Sequence, residues 1–116
     1  MKSVKIYGRS TCHSCRSAVE FFEGRGVEVE THDLTTERLP RDILEKAIDD
    51  AHVDDAFEHR SPFYHLFGLD KAVPPKKKAV KILVAEPGLL RVPLVLQNGR
   101  SVFGWDREGF EQTFDV

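Results

Sequence analysis

The sequence predicts an α/β fold with a mixed central sheet, in which a β-α-β opening and a β-β-α close frame a long helical segment. Three observations carry this. Two short runs with period-two alternation, Val4-Lys5-Ile6-Tyr7 and Val27-Glu28-Val29-Glu30, bracket an amphipathic stretch. From Thr35 to about Pro87 the alternation gives way to helix and loop signals. After Pro93 two further apolar runs flank Asn98-Gly99, a pair that readily adopts the positive φ angles of a two-residue hairpin turn.

Each element has a local cause. Gly8 to Thr11 form a turn after the first strand, and Ser10 or Thr11 is expected to cap the next helix through its hydroxyl. Cys15, Ala18, Val19 and Phe22 fall at i, i+3, i+4 and i+7, one face of that helix, which Gly24 and Gly26 end. The strands on either side of it are expected to run parallel, joined by a right-handed crossover. In the helical segment, Pro40 is placed to start a helix with Ile43, Ala47 and Ile48 on its apolar face. Asp49-Asp50 and Asp54-Asp55 make an acidic connector, and Ser61-Pro62 opens a short apolar stretch closed by Gly68. Lys76-Lys77-Lys78 reads as the solvated start of a helix carrying Ala79 to Ala85, which Pro87-Gly88 stops. Glu108, Phe110, Glu111 and Phe114 predict a short closing helix. The expected organisation is a single domain over residues 1–116 with a helical insertion at about 35–90.

Composition narrows the function. A hydrophobic content of 41% with 31% charged residues is that of a soluble globular protein. A net charge of −2 gives no reason to expect nucleic acid as a direct ligand. No apolar run approaches the ~18 residues of a membrane span, and the N-terminus lacks the apolar region of a signal peptide. Two closely spaced cysteines do not form a secreted disulfide framework, so a cytoplasmic monomer is expected.

The chemistry concentrates in Ser10-Thr11-Cys12-His13-Ser14-Cys15-Arg16, which holds both cysteines. A Cys-x-x-Cys that follows a strand and opens a helix is the pattern of a thioredoxin-like redox site. Cys12 at a helix N-terminus meets orphan N–H groups and the positive end of the dipole, which favour a thiolate nucleophile. Arg16, one turn on, can bring a guanidinium near the same sulfur. Cys15 lies close enough to resolve a mixed disulfide on Cys12, on the less exposed apolar face. The competing readings are two ordinary buried thiols, or a zinc site. Zinc needs two more ligands, and there is no second Cys-x-x-Cys. His52, His59 and His65 have no metal-site spacing, and Trp105 with Phe103 is expected to close the core. By analogy with thioredoxin-like folds, Pro93 at the start of a strand is expected to be cis, with Val92 before it offering backbone groups to an extended partner.

These residues resemble the ArsC/Spx family, which comprises glutaredoxin-coupled arsenate reductases and Spx redox regulators. The resemblance rests on the cysteine motif and on Arg60-Ser61-Pro62-Phe63. It extends to Glu86-Pro87-Gly88-Leu89-Leu90-Arg91-Val92-Pro93 and Phe103-Gly104-Trp105. It implies a thioredoxin-like fold, Cys12 as nucleophile and Arg60 as an oxyanion ligand. In the reductases an arginine directly precedes the proline. Here Val92 stands there, Arg91 comes one residue earlier, and the arginine after the hairpin is replaced by Gly104-Trp105-Asp106 with Arg107 close by. Little arsenate turnover is therefore expected. The Cys-x-x-Cys-Arg form is similar to the Spx branch, where the pair is a disulfide switch and the partner is RNA polymerase rather than DNA. The resemblance implies protein or glutathione thiols as partners and no cofactor beyond glutathione as a reductant. The substrate-side residues are expected to be Arg60, Arg91, Val92 and Pro93.

Overall fold

Four strands and five helices follow the predicted order in a computed structural model that describes residues 2–116. The chain divides into two compact units, one running to Glu37 and resuming at Val92, the other spanning Arg38–Arg91.

The first unit holds the sheet. Strands β1 (Ser3–Gly8), β2 (Glu28–Asp33), β3 (Leu94–Gln97) and β4 (Arg100–Phe103) lie in the order β2-β1-β3-β4. β1 and β2 are parallel, joined through helix α1 (His13–Glu23), and the other two pairings are antiparallel, so the sheet is mixed. The register sets Val4 beside Val29, Ile6 beside Val95, and Val95 beside Val102, all on one face. Against Val4, Ile6 and Val95 pack Ala18, Phe21 and Phe22 of α1, and Phe110 and Phe114 at the last helix of the chain (Arg107–Thr113). Phe22 and Phe110 are fully buried with ring centroids 5.2 Å apart. Each such side chain stabilises the fold by about 1.5–3 kcal/mol. Asn98 (φ 49°) and Gly99 (φ 78°) make the β3–β4 turn with both angles positive, as that turn requires.

Two local expectations change. Neither Ser10 nor Thr11 caps α1; the cap is Cys12, whose sulfur accepts the Cys15 N–H. Trp105 does not close the core. It is 41% exposed and meets the outer edges of Phe21 and Phe110 at 6.2 and 5.5 Å.

The second unit contains helices α2 (Arg41–Ala47), α3 (Pro62–Leu66) and α4 (Lys76–Ala85), and the closing helix of the first unit is α5. Pro40 and Pro75 directly precede α2 and α4, and Ser61 caps α3 through its hydroxyl. No strand forms among its described residues, but Phe57 and Leu90 make one isolated antiparallel bridge. Both residues are fully buried, and the flanking bonds Glu58 N–H to Leu89 C=O (2.7 Å) and Arg91 N–H to Ala56 C=O (2.9 Å) satisfy the backbone there.

A polar brace closes the first unit. The buried Gln97 amide donates to the carbonyls of Ser3 (3.2 Å) and Asp115 (3.1 Å), and its oxygen accepts the Asp115 N–H (2.7 Å). Gln97→Ala strands these groups, and the expected loss is about 2 kcal/mol by urea denaturation. A change below about 0.5 kcal/mol would deny the brace its role.

On β2, His32 stacks on its cross-strand neighbour Tyr7, with centroids 4.6 Å apart and planes 13° from parallel. Its ring nitrogens meet Glu37 (3.0 Å) and Glu30 (2.6 Å). Glu37 first, then Glu30, raises the His32 pKa above its ordinary 6.5. His32 in turn holds both carboxyls below their ordinary 4.5. The histidine contribution is complete below pH 6.5 and is lost as pH rises through the raised pKa. The carboxylate contribution is complete above pH 4.5 and is lost as pH falls through the lowered ones. The melting temperature of wild type should therefore exceed that of His32→Gln most between pH 4.5 and 6.5, with the gap narrowing above. A gap independent of pH would count against this.

Candidate functional site

The site begins where β1 ends. The Cys12 N–H donates to the Arg9 carbonyl (3.1 Å), closing a tight turn that brings the chain from Gly8 into α1. Cys12 is extended (φ −86°, ψ 113°), and its Sγ accepts the Cys15 N–H at 3.1 Å. That N–H is one of the donors that a helix start leaves without a partner. The sulfur thus does the work of a capping hydroxyl, which places it at the positive end of α1.

Cys15 lies one turn on, and its first-turn position follows from the apolar face it shares with Ala18 and Phe22. It is 6% exposed. Burial pushes its thiol up to about 12, and its hydrogen bond to Cys12 adds to this, while the backbone N–H and charge of Arg9 pull the other way. Both cysteines are free thiols, with Cys12 the more accessible. The arrangement joins the sulfur of a partly buried Cys12, held by a backbone donor, to a neighbouring protonated thiol. It can form a mixed disulfide at Cys12 and then an internal one.

The supporting residues divide. Arg16, expected beside the Cys12 sulfur, donates from Nη1 to the Ser10 carbonyl (3.4 Å), across the turn that leads into Cys12. Pro93 is buried, the Val92–Pro93 bond is cis as expected, and the Pro93 carbonyl accepts the Gly104 N–H (2.8 Å). Because Leu94 pairs with Tyr7, this proline borders the end of β1 from which the cysteine turn departs. In the second unit, Arg60 is 90% exposed and its Nε bonds Glu58 (3.3 Å). Burial raises the Glu58 pKa, but the Arg60 N–H and guanidinium, with the charge of Arg91, more than offset this and leave it lowered. Arg60 and Arg91 thus both act on one carboxylate.

Three features take their place only from the fold, although Asp33 already stood out as a hydrogen-bonding residue after the second strand. Asp33 at the end of β2 is held low first by the Thr35 hydroxyl and N–H, then by Ser10, so it anchors the turn before Cys12. The Asp-Leu-Thr spacing of an Asx-type turn was the available signal. His32 and Tyr7 needed the strand register to be paired. A cavity of about 210 Å³ lies beside Cys15, lined by Gly8, Arg9, Arg16, His32 and Asp33 among others, and only the fold brings these residues together. Among the described residues, no group of three or more His, Cys, Asp or Glu is placed to hold a metal ion, and no helix is long and apolar enough to cross a membrane.

Comparisons with known proteins show the family and the fold. The family model described as "ArsC family" matches residues 7–113. An uncharacterized protein of Haemophilus influenzae is 24% identical over 96% of this chain and 98% of its own. The global transcriptional regulator Spx of Streptococcus mutans is 24% identical over 90% of this chain and 78% of its own. Among solved structures, an arsenate reductase from Vibrio cholerae superimposes with a TM-score of 0.81 at 18% identity. That match covers 96% of this chain and 97% of the other.

The contrast between the two sulfurs is measurable. With its pKa pushed up to about 12, the Cys15 thiol stays protonated at pH 8. Brief iodoacetamide treatment of the reduced protein at pH 8, read by peptide mass spectrometry, should label Cys12 and leave Cys15 almost untouched. Equal labelling would contradict the burial described.

Proposed function

This chain belongs to the ArsC family, and from that premise we propose that it is a cytoplasmic thiol–disulfide redox protein with Cys12 as nucleophile and Cys15 as resolving thiol. The observation that carries the reading is the capping geometry: the sulfur of a partly buried Cys12 hydrogen-bonded at 3.1 Å by the backbone of the buried Cys15. An anionic sulfur accepts such a bond more strongly than a neutral one. Arg16 keeps positive charge beside the cysteine turn.

The reaction runs in two exchanges. The Cys12 thiolate attacks one sulfur of a partner disulfide. The Cys12–partner S–S bond forms, the partner's own S–S bond breaks, and the other partner sulfur leaves as a thiolate that takes up a proton. Cys15 then loses its proton and attacks the Cys12 sulfur, releasing the partner's second thiol and leaving a Cys12–Cys15 disulfide. Two electrons pass from the protein to the partner, and two equivalents of a thiol such as glutathione return them and leave as the oxidised disulfide. The high pKa of Cys15 keeps it protonated while Cys12 reacts first, and it attacks only once the mixed disulfide makes the neighbouring Cys12 sulfur electrophilic. Val92 and Pro93 shape the groove beside it.

A second reading, a redox-sensing regulator that binds RNA polymerase, draws on the relatives named as Spx, which are 24–26% identical over 90% of this chain. The same cysteine pair would be the switch. Arsenate reduction has less support. Val92 stands where an arginine would serve, and Arg60 and Arg91 already act on Glu58.

Equilibration in glutathione redox buffers, followed by alkylation and mass spectrometry, tests the proposal. A Cys12–Cys15 disulfide should form, and Cys12→Ser, whose hydroxyl still suits the cap, should abolish it. Cys15→Ser should accumulate a glutathione adduct on Cys12. An adduct on Cys12 in the wild type with Cys15 left free would overturn the dithiol reading. Turnover of arsenate with glutathione and glutaredoxin would then restore the reductase.

A further inference from the structure

We infer that Gly8 is a positioning residue that seats the reduced Cys15 thiol and so sets the balance between dithiol and disulfide. The inference rests on the dithiol reading. Gly8 is the last residue of β1, an extended strand in which glycine is ordinarily unfavourable, so the local conformation does not ask for it. Its surroundings do. A Cβ at Gly8 would lie 2.7 Å from the Cys15 sulfur and 3.0 Å from the Cys15 Cβ. Carbon–sulfur contacts that short do not occur without displacement, and neither backbone is free to move.

On one side, Gly8 is held in register with Asp33 of β2, and its carbonyl accepts the Leu34 N–H at 2.8 Å. On the other, Ala18 and Phe22, both fully buried against the sheet, fix the first turns of α1 and with them the Cys15 backbone. Only rotation about the Cys15 side chain remains. The missing side chain of Gly8 therefore leaves a recess for the sulfur, from which the thiol hydrogen-bonds Cys12. Disulfide formation requires the two sulfurs to close from that contact to about 2.05 Å. A methyl group at position 8 fills the recess and penalises the reduced seat more than the oxidised one. The Cβ contact at 3.0 Å is common to both states and cancels from the comparison.

Gly8→Ala should therefore raise the equilibrium constant for disulfide formation in glutathione buffers about tenfold, a potential about 30 mV more negative for this two-electron couple. An unchanged potential, or a shift toward the dithiol, overturns the inference. A wild type that forms no Cys12–Cys15 disulfide overturns the dithiol reading itself, whatever Gly8 does. A stability cycle provides the second readout. The loss caused by Gly8→Ala should shrink by at least half when Cys15 is already alanine, since the sulfur is then gone. Should Gly8→Ala not fold, its recovery by Cys15→Ala supports the seat. Equal losses in both backgrounds, or no recovery, overturn it.

Discussion

The hydrogen bond from the Cys15 N–H to the Cys12 sulfur ties the start of α1 to the chemistry of the chain. A helix needs something to accept its first N–H groups, and here the acceptor is the sulfur proposed as nucleophile. The cap demands an extended Cys12, the extended Cys12 demands the turn closed on the Arg9 carbonyl, and that turn demands a strand ending at Gly8. Arg16 and Asp33 secure the same turn from either side, one through the Ser10 carbonyl and the other through its bonds from Ser10. Structural and chemical requirements thus fall on the same few atoms.

Much of this was legible in the sequence because local spacing determined it. Alternation at Val4 and Ile6, helical spacing through Phe22, and Asn98-Gly99 each specify their element without help from the rest of the chain. The placement of the cysteine motif was legible because strand, turn and helix are contiguous. Other features were hidden for a physical reason. A capping sulfur cannot be told from a capping hydroxyl two residues earlier when Ser10, Thr11 and Cys12 all carry an acceptor. The stacking of His32 on Tyr7 depends on a register between residues that are distant in the chain. The role of Gly8 depends on a sulfur seven residues away. The outward position of Trp105 reflects space already filled by Phe21 and Phe110.

The arginines show how counting charges misleads. Arg60 and Arg91 read as free cations able to hold an oxyanion, but Glu58 lies within reach of both influences. Its carboxylate accepts from the Arg60 backbone and guanidinium at 3.1 and 3.3 Å. An external anion at Arg60 would meet the negative charge of Glu58 beside the guanidinium. At an exposed pair the attraction itself is weak, so the carboxylate matters more as an occupant of the donor atoms than as a source of stability.

The strand order has a kinetic side. β1 and β2 pair across one helix, and β3 and β4 across two turn residues, so each pair closes a short loop. The pairing of β1 with β3 sets Tyr7 against Leu94, about 90 residues apart, and it is this step that assembles the sheet. Most of that loop is Arg38–Arg91, a stretch with its own compact set of contacts. Were that stretch to condense before the strands pair, the effective loop would be shorter than the chain between them, and the entropic cost of joining the halves would fall with it. The length of the helical segment thus bears on the cost of assembling the sheet as well as on the composition of the second unit.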